Sequence, residues 1–363
     1  MAHLLVDISA HGFGHVSQTA PVVNALAQLV PSLQVTVRSA APIAILRQRF
    51  QCEFAHIPTS FDFGMTMSNA VDVLAQESAA DYRDFHVEWD AKVQREAQAM
   101  RALSPDLLLA NIPYLSLAAA QLANVRAVAM CSLNWADIYS HYCVGDAASQ
   151  NVYAQMLAAY NSAECFLQPQ PSMPMSEFAN TRQIGPIAKT GCNQRALVEK
   201  ILPSFPDEKW VLVAMGGMEF RLPMEGWPRI PGVRWLVPAV WKIDREDVSA
   251  YESLGLSFGD VLASCDAVLT KPGYGTFTEA ACAGVPVLYV ARRDWPEEPY
   301  LVQWLSRQST CLEVGRAALE TGELHGILQQ LWALPRPLRP VLSGAHEAAQ
   351  YLHDMIMRGS RSL

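Results

Sequence analysis

The sequence predicts an α/β protein made of two doubly wound domains facing across a cleft, on three observations. Short apolar runs alternate with helical segments along most of the chain, the pattern of parallel strands covered by helices on both faces. The alternation restarts after a proline-rich, polar stretch at 168–186, which reads as a linker. Finally, 363 residues, 51% of them hydrophobic and 17% charged, suffice for two cores of ordinary size. The expected units are 1–180, 187–340 and a last helix within 341–363.

The first half opens with HLLVDIS (3–9), an apolar run stopped by glycines, and continues into a helical pattern over 16–30 with Pro21 in its early turns. LQVTVR (33–38) and CEFAHI (52–57) read as strands around a helix at 42–50. A long polar, helical insertion runs to about residue 102. DLLLAN (106–111), a helix at 115–123 and RAVAM (126–130) follow. The second half repeats the scheme with KWVLVAMGG (209–217), VRWLVP (233–238), AVLTK (267–271), a helix from Thr276 and VPVLYV (285–290).

A net charge of -8 argues against a partner held by its phosphate backbone, so no nucleic acid is expected. The eight cysteines are scattered without a CxxC pair and read as reduced thiols of a cytoplasmic protein. The N-terminus lacks a basic region and a long apolar core, so no signal peptide is expected. The best membrane candidate, 115–130, carries Asn124 and Arg126 and reads as a helix and strand. No transmembrane segment is expected; contact with a membrane surface stays open.

Ligands of doubly wound domains bind beyond the carboxyl ends of the strands, and both glycine turns stand there. Neither is a dinucleotide fingerprint: His11-Gly12-Phe13-Gly14 is followed by Ser17 and Gly273-Tyr274-Gly275 by Thr278 where a third glycine belongs. GxxxxGK[ST] and GxSxG are absent. In the second turn, Gly273 and Gly275 allow close backbone approach and positive φ, and the following helix offers unpaired N–H groups to an anion. Lys271 adds a point charge, and Thr276 and Thr278 add hydroxyls. Glu279 then falls where a carboxylate either complements the helix dipole or accepts from a diol beyond a phosphate.

The run KPGYGTFTEAACAGVPVLYVARRDWPEEP (271–299) resembles the donor-binding segment of GT-B glycosyltransferases, the group that includes the lipid II-forming transferase and the plant and antibiotic transferases. Most of all it resembles the transferase-like N-terminal half of arabinokinase-type proteins. The resemblance implies two Rossmann-like domains and places a nucleotide sugar's diphosphate on Gly273, Gly275 and Thr276 and its ribose on Glu279. The sugar falls to Asp294, or to Glu297 or Glu298, and Gly216 and Gly217 form the loop that closes on the phosphates. HGFGHVSQTAPVVNAL (11–26) resembles the family's first turn, which implies His15 as general base, His11 as its helper and Gly14 on the donor side. A neutral imidazole at a helix mouth suits that task near pH 7; capping of local backbone is the other reading of both histidines.

Asn134, Trp135 and Asp137 follow a strand into the cleft and are acceptor-side candidates. The cluster Asp84, His86, Glu88, Trp89 and Asp90 reads as a solvated helix face or an acceptor contact. His346, Glu347 and His353 are too far apart along a helix to share zinc and read as surface residues. Without a DxD pair no metal is expected, and no cofactor beyond the nucleotide sugar as substrate. Arg292-Arg293 departs from the plant enzymes' sugar segment and leaves room for an acidic sugar. The expected activity is an inverting, metal-independent glycosyltransferase, most simply UDP-linked, with an acceptor the sequence does not specify. The alternatives are a nucleotide-sugar hydrolase and a non-catalytic nucleotide-sugar sensor or partner subunit. The resemblance likewise implies that the C-terminal helix packs back across the interdomain junction.

Overall fold

The computed structural model describes residues 2–69, 71–201, 208–216, 221–292 and 294–359. The first half comprises β1 (His3–Ile8), α1 (Gly14–Leu29), β2 (Gln34–Arg38), α2 (Ile43–Arg49), β3 (Ala55–Ile57), α3 (Ala75–His86), α4 (Trp89–Leu103), β4 (Leu107–Asn111), α5 (Tyr114–Ala123), β5 (Ala127–Met130), α6 (Trp135–Cys143), α7 (Ala147–Asn161), β6 (Cys165–Pro169) and β7 (Thr181–Ile184). The second comprises α8 (Arg195–Ile201), β8 (Lys209–Ala214), β9 (Val233–Val237), β10 (Val248–Ala250), α9 (Phe258–Ser264), β11 (Ala267–Thr270), α10 (Tyr274–Ala283), β12 (Val287–Val290), α11 (Glu298–Gln308), β13 (Cys311–Val314), α12 (Arg316–Thr321), α13 (His325–Ala333) and α14 (Gly344–Gly359).

The strands form a seven-stranded sheet, β3-β2-β1-β4-β5-β6-β7, and a six-stranded sheet, β10-β9-β8-β11-β12-β13. All their strand pairs are parallel. Both orders reverse beside their first strand, between β1 and β4 and between β8 and β11. Loops leaving such neighbours diverge to opposite faces and open a crevice, so each half brings its own binding edge. The central strands are buried throughout, as two-sided coverage requires.

The linker reading of 168–186 needs correction. β7 lies inside it and pairs with β6, so the first sheet extends past residue 180. Three of its four residues, TRQI, are exposed; a polar edge strand of this kind lacks the apolar run or alternation that marks a strand in sequence. The crossing between halves follows β7 immediately. There Gly185 and Gly344 come so close that a Cβ on Gly344 would collide with the carbonyl oxygen of Gly185. From that point α14 runs back to pack on α1 and β7, and one apolar cluster joins Leu26, Ala348 and Leu352 to Tyr274 and Phe277 of α10.

Candidate functional site

The carboxyl ends of β1 and β8 face one cavity of about 340 Å³ between the halves, within the size range of small-ligand sites. α1 enters it from one side and α10 from the other, and neither helix has a side-chain cap on its first turn. Two uncapped helix N-termini therefore point their free N–H groups toward the same space. The helices touch where a Cβ on Gly275 would sit 3.9 Å from Cβ of Ser17, an ordinary contact distance.

Neither glycine of the α10 turn needs its conformational freedom. Gly273 has an extended φ of -159°, and a Cβ there would meet nothing closer than 3.9 Å. The expectation of positive φ in this turn fails; that conformation belongs to Gly12 (φ 80°) and Gly216 (φ 87°). Gly216 lies against Lys271, whose Cε would stand 3.1 Å from an added Cβ. Lys271 lines the cavity, and burial, helped by Arg292, lowers its pKa to about 7. Thr276 lines the same wall, but Thr278 does not serve it. Its hydroxyl donates to the carbonyl of Tyr274 at 2.8 Å inside the helix. Gly217 lies outside the described residues.

Glu279 is buried on the cavity wall. Its Oε1 accepts from Nη1 of Arg49 at 3.2 Å, an ion pair that joins the two halves. Burial still outweighs the arginine and holds its carboxyl above the usual range. Pro238, Tyr251 and Phe258 add an apolar, partly aromatic wall; Tyr251 and Phe258 meet edge to face at 6.1 Å.

On the first half, His15 is buried at the start of α1. Its Nδ1 lies 2.8 Å from Oδ1 of Asn111 at the end of β4. The amide nitrogen of Asn111 points to Gln18 Oε1 at 3.2 Å, so the amide oxygen is the group facing the ring and Nδ1 is the donor. That fixes Nε2 as the unprotonated nitrogen. Burial lowers the His15 pKa to about 4 and leaves the ring neutral at pH 7. His11 sits between two indoles, edge-on to Trp135 at 5.1 Å and stacked with Trp295 at 6.4 Å, and burial, then His15, lower its pKa to about 3. Gly14 lines the cavity as the first residue of α1.

The sugar-side acid moves. Asp294 is 80% exposed and bonded to His141 at 3.1 Å, and Glu298 bonds back to the backbone N–H of Arg292; neither lines the cavity. Glu297 does, buried, with one carboxylate oxygen accepting from Ser132 at 2.7 Å and the other from Trp295 Nε1 at 3.2 Å. The chain reverses around a Trp295–Glu297 turn before α11, which no periodicity reports.

The acceptor candidates also shift. Asn134 caps α6, its side chain accepting from the Asp137 amide at 2.8 Å and donating to the Asp137 carboxylate at 2.8 Å. Trp135 is fully buried and donates from Nε1 to Asp62 at 2.8 Å. These three hold the helix in place, a role that the Asn-x-x-Asp spacing signals. Cys131, Ser132 and Leu133, just before them, reach the cavity instead. In the insertion, His86 bonds Gln155 and Tyr114 and stacks on Trp89 at 4.7 Å, a packing cluster, while Asp84 borders a shallow groove with Phe63 and Phe85. Of the α14 residues, Glu347 accepts from the Gly185 amide at 3.3 Å at the crossing.

No family model matches the chain. It is 24% identical over 361 residues, 96% of its own length, to L-arabinokinase of Arabidopsis thaliana, and spans about a third of that protein, 34%. Among solved structures it resembles CalG4, the calicheamicin glycosyltransferase (TM-score 0.62, 18% identity, 99% and 95% of the two chains covered). Arabidopsis thaliana UGT89C1 complexed with UDP (0.57, 15%, 98% and 95%) and the spinosyn rhamnosyltransferase SpnG complexed with thymidine diphosphate (0.55, 15%, 99% and 96%) share the architecture. The fold is that of the GT-B glycosyltransferases. Among the described residues no helix is long and apolar enough to cross a membrane.

Proposed function

We propose that the protein transfers a sugar from a nucleoside diphosphate, uridine-linked by first choice, to a hydroxyl or amine acceptor with inversion. One observation carries the reading. Gly273 and Gly275 are needed neither by backbone conformation nor by packing, yet they bare the uncapped N-terminus of α10 beside Lys271. A bulky anion is what bare amides and a nearby ammonium accommodate. Glu279 then takes the ribose diol, and Pro238, Tyr251 and Phe258 take the base.

In the reaction, Nε2 of His15 accepts the proton of the acceptor as its oxygen or nitrogen bonds to the anomeric carbon. The bond from that carbon to the diphosphate breaks, and its electron pair leaves on the phosphate, stabilised by Lys271 and the α10 amides. Asn111 keeps Nδ1 protonated and the lone pair on Nε2; it orients the base without adding charge. Positive charge for the leaving group comes from Lys271 and α10, so no resident metal or further cofactor is part of the reading. The nucleotide-bound states of UGT89C1 and SpnG, proteins of this architecture, support a diphosphate guest.

The test is thermal unfolding with UDP, dTDP, GDP, CDP, ADP and NAD, on the wild type and on Glu279→Ala. A nucleotide at a hundred times its Kd stabilises by about 2.7 kcal/mol. One diphosphate is expected to stabilise the wild type and to lose most of that effect in the variant. Stabilisation by none of them would end the transferase reading.

A further inference from the structure

Arg292 follows β12, one strand over from Lys271, in the segment that the sequence resemblance assigns to the transferred sugar. Its side chain is 6% exposed and lines the cavity. The guanidinium carbon stands over the Trp295 indole, 4.2 Å from the ring centroid, a cation–π contact that holds the group in place. Nε is buried and has no hydrogen-bond partner, and no carboxylate forms an ion pair with the group among the described residues. The acids around it are otherwise engaged. Glu297 is held by Ser132 and Trp295, Glu298 by the Arg292 backbone, and Asp72 by Arg316 at 3.0 Å.

A buried cation without an acceptor is costly unless a ligand supplies one. Lys271 and the α10 N-terminus already answer to the diphosphate, leaving the second cation unused by that reading. Neutral sugar hydroxyls ask for acceptors such as Glu297; a planar, fixed guanidinium asks for a planar anion that it can grip with two parallel N–H bonds.

Resting on the nucleotide-sugar reading of this cleft, we propose that the transferred sugar carries a carboxylate, a uronic acid, and that Arg292 is the residue that selects it. Glu297 holds hydroxyls of the same sugar, and Trp295 keeps the guanidinium in register.

The probes are UDP, UDP-glucose and UDP-glucuronate, titrated by calorimetry against the wild type, Arg292→Gln and Arg292→Lys. The wild type is expected to bind the uronate at least about tenfold more tightly than the neutral sugar, a difference of ~1.4 kcal/mol. Arg292→Gln brings that ratio to about one while UDP alone binds no more weakly than before, since losing the nearby cation lets Lys271 hold its proton more readily, and Arg292→Lys falls between because it keeps charge without the fork. A wild-type ratio of one overturns the proposal, since the anion of Arg292 then belongs to another molecule. Equal loss of UDP and UDP-glucuronate in Arg292→Gln overturns it too, by making Arg292 a phosphate ligand. Failure of UDP itself to bind removes the nucleotide reading of the cleft, and this assignment with it.

Discussion

At the scale of single residues, Lys271 sets a pH dependence that separates a phosphate ligand from a packed lysine. Burial first and Arg292 second lower its pKa to about 7, so around neutrality it is only partly charged. A diphosphate favours the ammonium form, and binding must take up a proton wherever free Lys271 is neutral. Affinity for a nucleotide sugar, whose diphosphate has no titrating oxygen near neutrality, is therefore highest below pH 7 and falls as pH rises through 7 toward 9. Over that window the loss is about tenfold or more, because each proton bound contributes up to about 1.4 kcal/mol per pH unit. Lys271→Met should bind weakly at every pH with a flat profile, measured by titrating the same nucleotide sugar at pH 6, 7, 8 and 9. A wild-type profile as flat as the variant's would take Lys271 out of the site. His15 works in the opposite sense: burial depresses it to about 4, so its lone pair is already free across this window.

Among the elements, the turn–helix units after β1 and β11 were legible in the sequence because their signals are local: an apolar run, a glycine break and a helical period in succession. Their partners were not. Asn111 bonds His15 from the end of β4, Arg49 and Ser132 reach the cavity from α2 and from the loop after β5, and no spacing along the chain links them to His15 or Glu279. Asn134 and Trp135 are placed elsewhere for a related reason: following a strand into a cleft is a property of backbone, while the capping bond and the Asp62 contact engage those side chains away from the cavity lining. The α10 glycines allow a test at this scale whose two readouts move in opposite directions. Since a Cβ on Gly275 meets only Ser17 at 3.9 Å and the residue is helical, Gly275→Ala should raise the stability of the free protein by about 0.5 kcal/mol or a little more. The same methyl is added on the cavity lining, at the helix N-terminus proposed to hold the diphosphate, so diphosphate affinity should drop at least about tenfold. Chemical denaturation with and without UDP reads both; a stabilised variant with undiminished UDP binding would make Gly275 an ordinary helix residue.

For the whole molecule, three of the contacts that join the halves differ in kind, beside bonds such as Ser132–Glu297 and Asp72–Arg316: the Gly185–Gly344 crossing, the apolar seam of α14 on α1, and the Arg49–Glu279 ion pair. The first two lie away from the cavity, whereas the third is built from the carboxylate proposed to take the ribose. Nucleotide entry must then share or displace Arg49, which couples donor binding to the contact between halves. Removing the arginine leaves a buried carboxylate without its cation, and the cost depends on whether that carboxylate is ionised. Because Glu279 is already raised by burial and lowered by Arg49, Arg49→Ala raises it further. A carboxyl with a raised folded-state pKa binds its proton more tightly in the folded protein, so the penalty is present above that pKa and fades as pH falls through it. Arg49→Ala should accordingly destabilise the protein by about 1–3 kcal/mol at pH 8 and by much less at pH 5, and Arg49→Ala with Glu279→Gln should recover most of the loss at pH 8. Urea unfolding of the wild type, the single variant and the double variant at the two pH values checks this. An Arg49→Ala deficit independent of pH and unrelieved by Glu279→Gln would mean that Arg49 contributes through its packing alone, and the Arg49–Glu279 contact would then not be one that the donor releases.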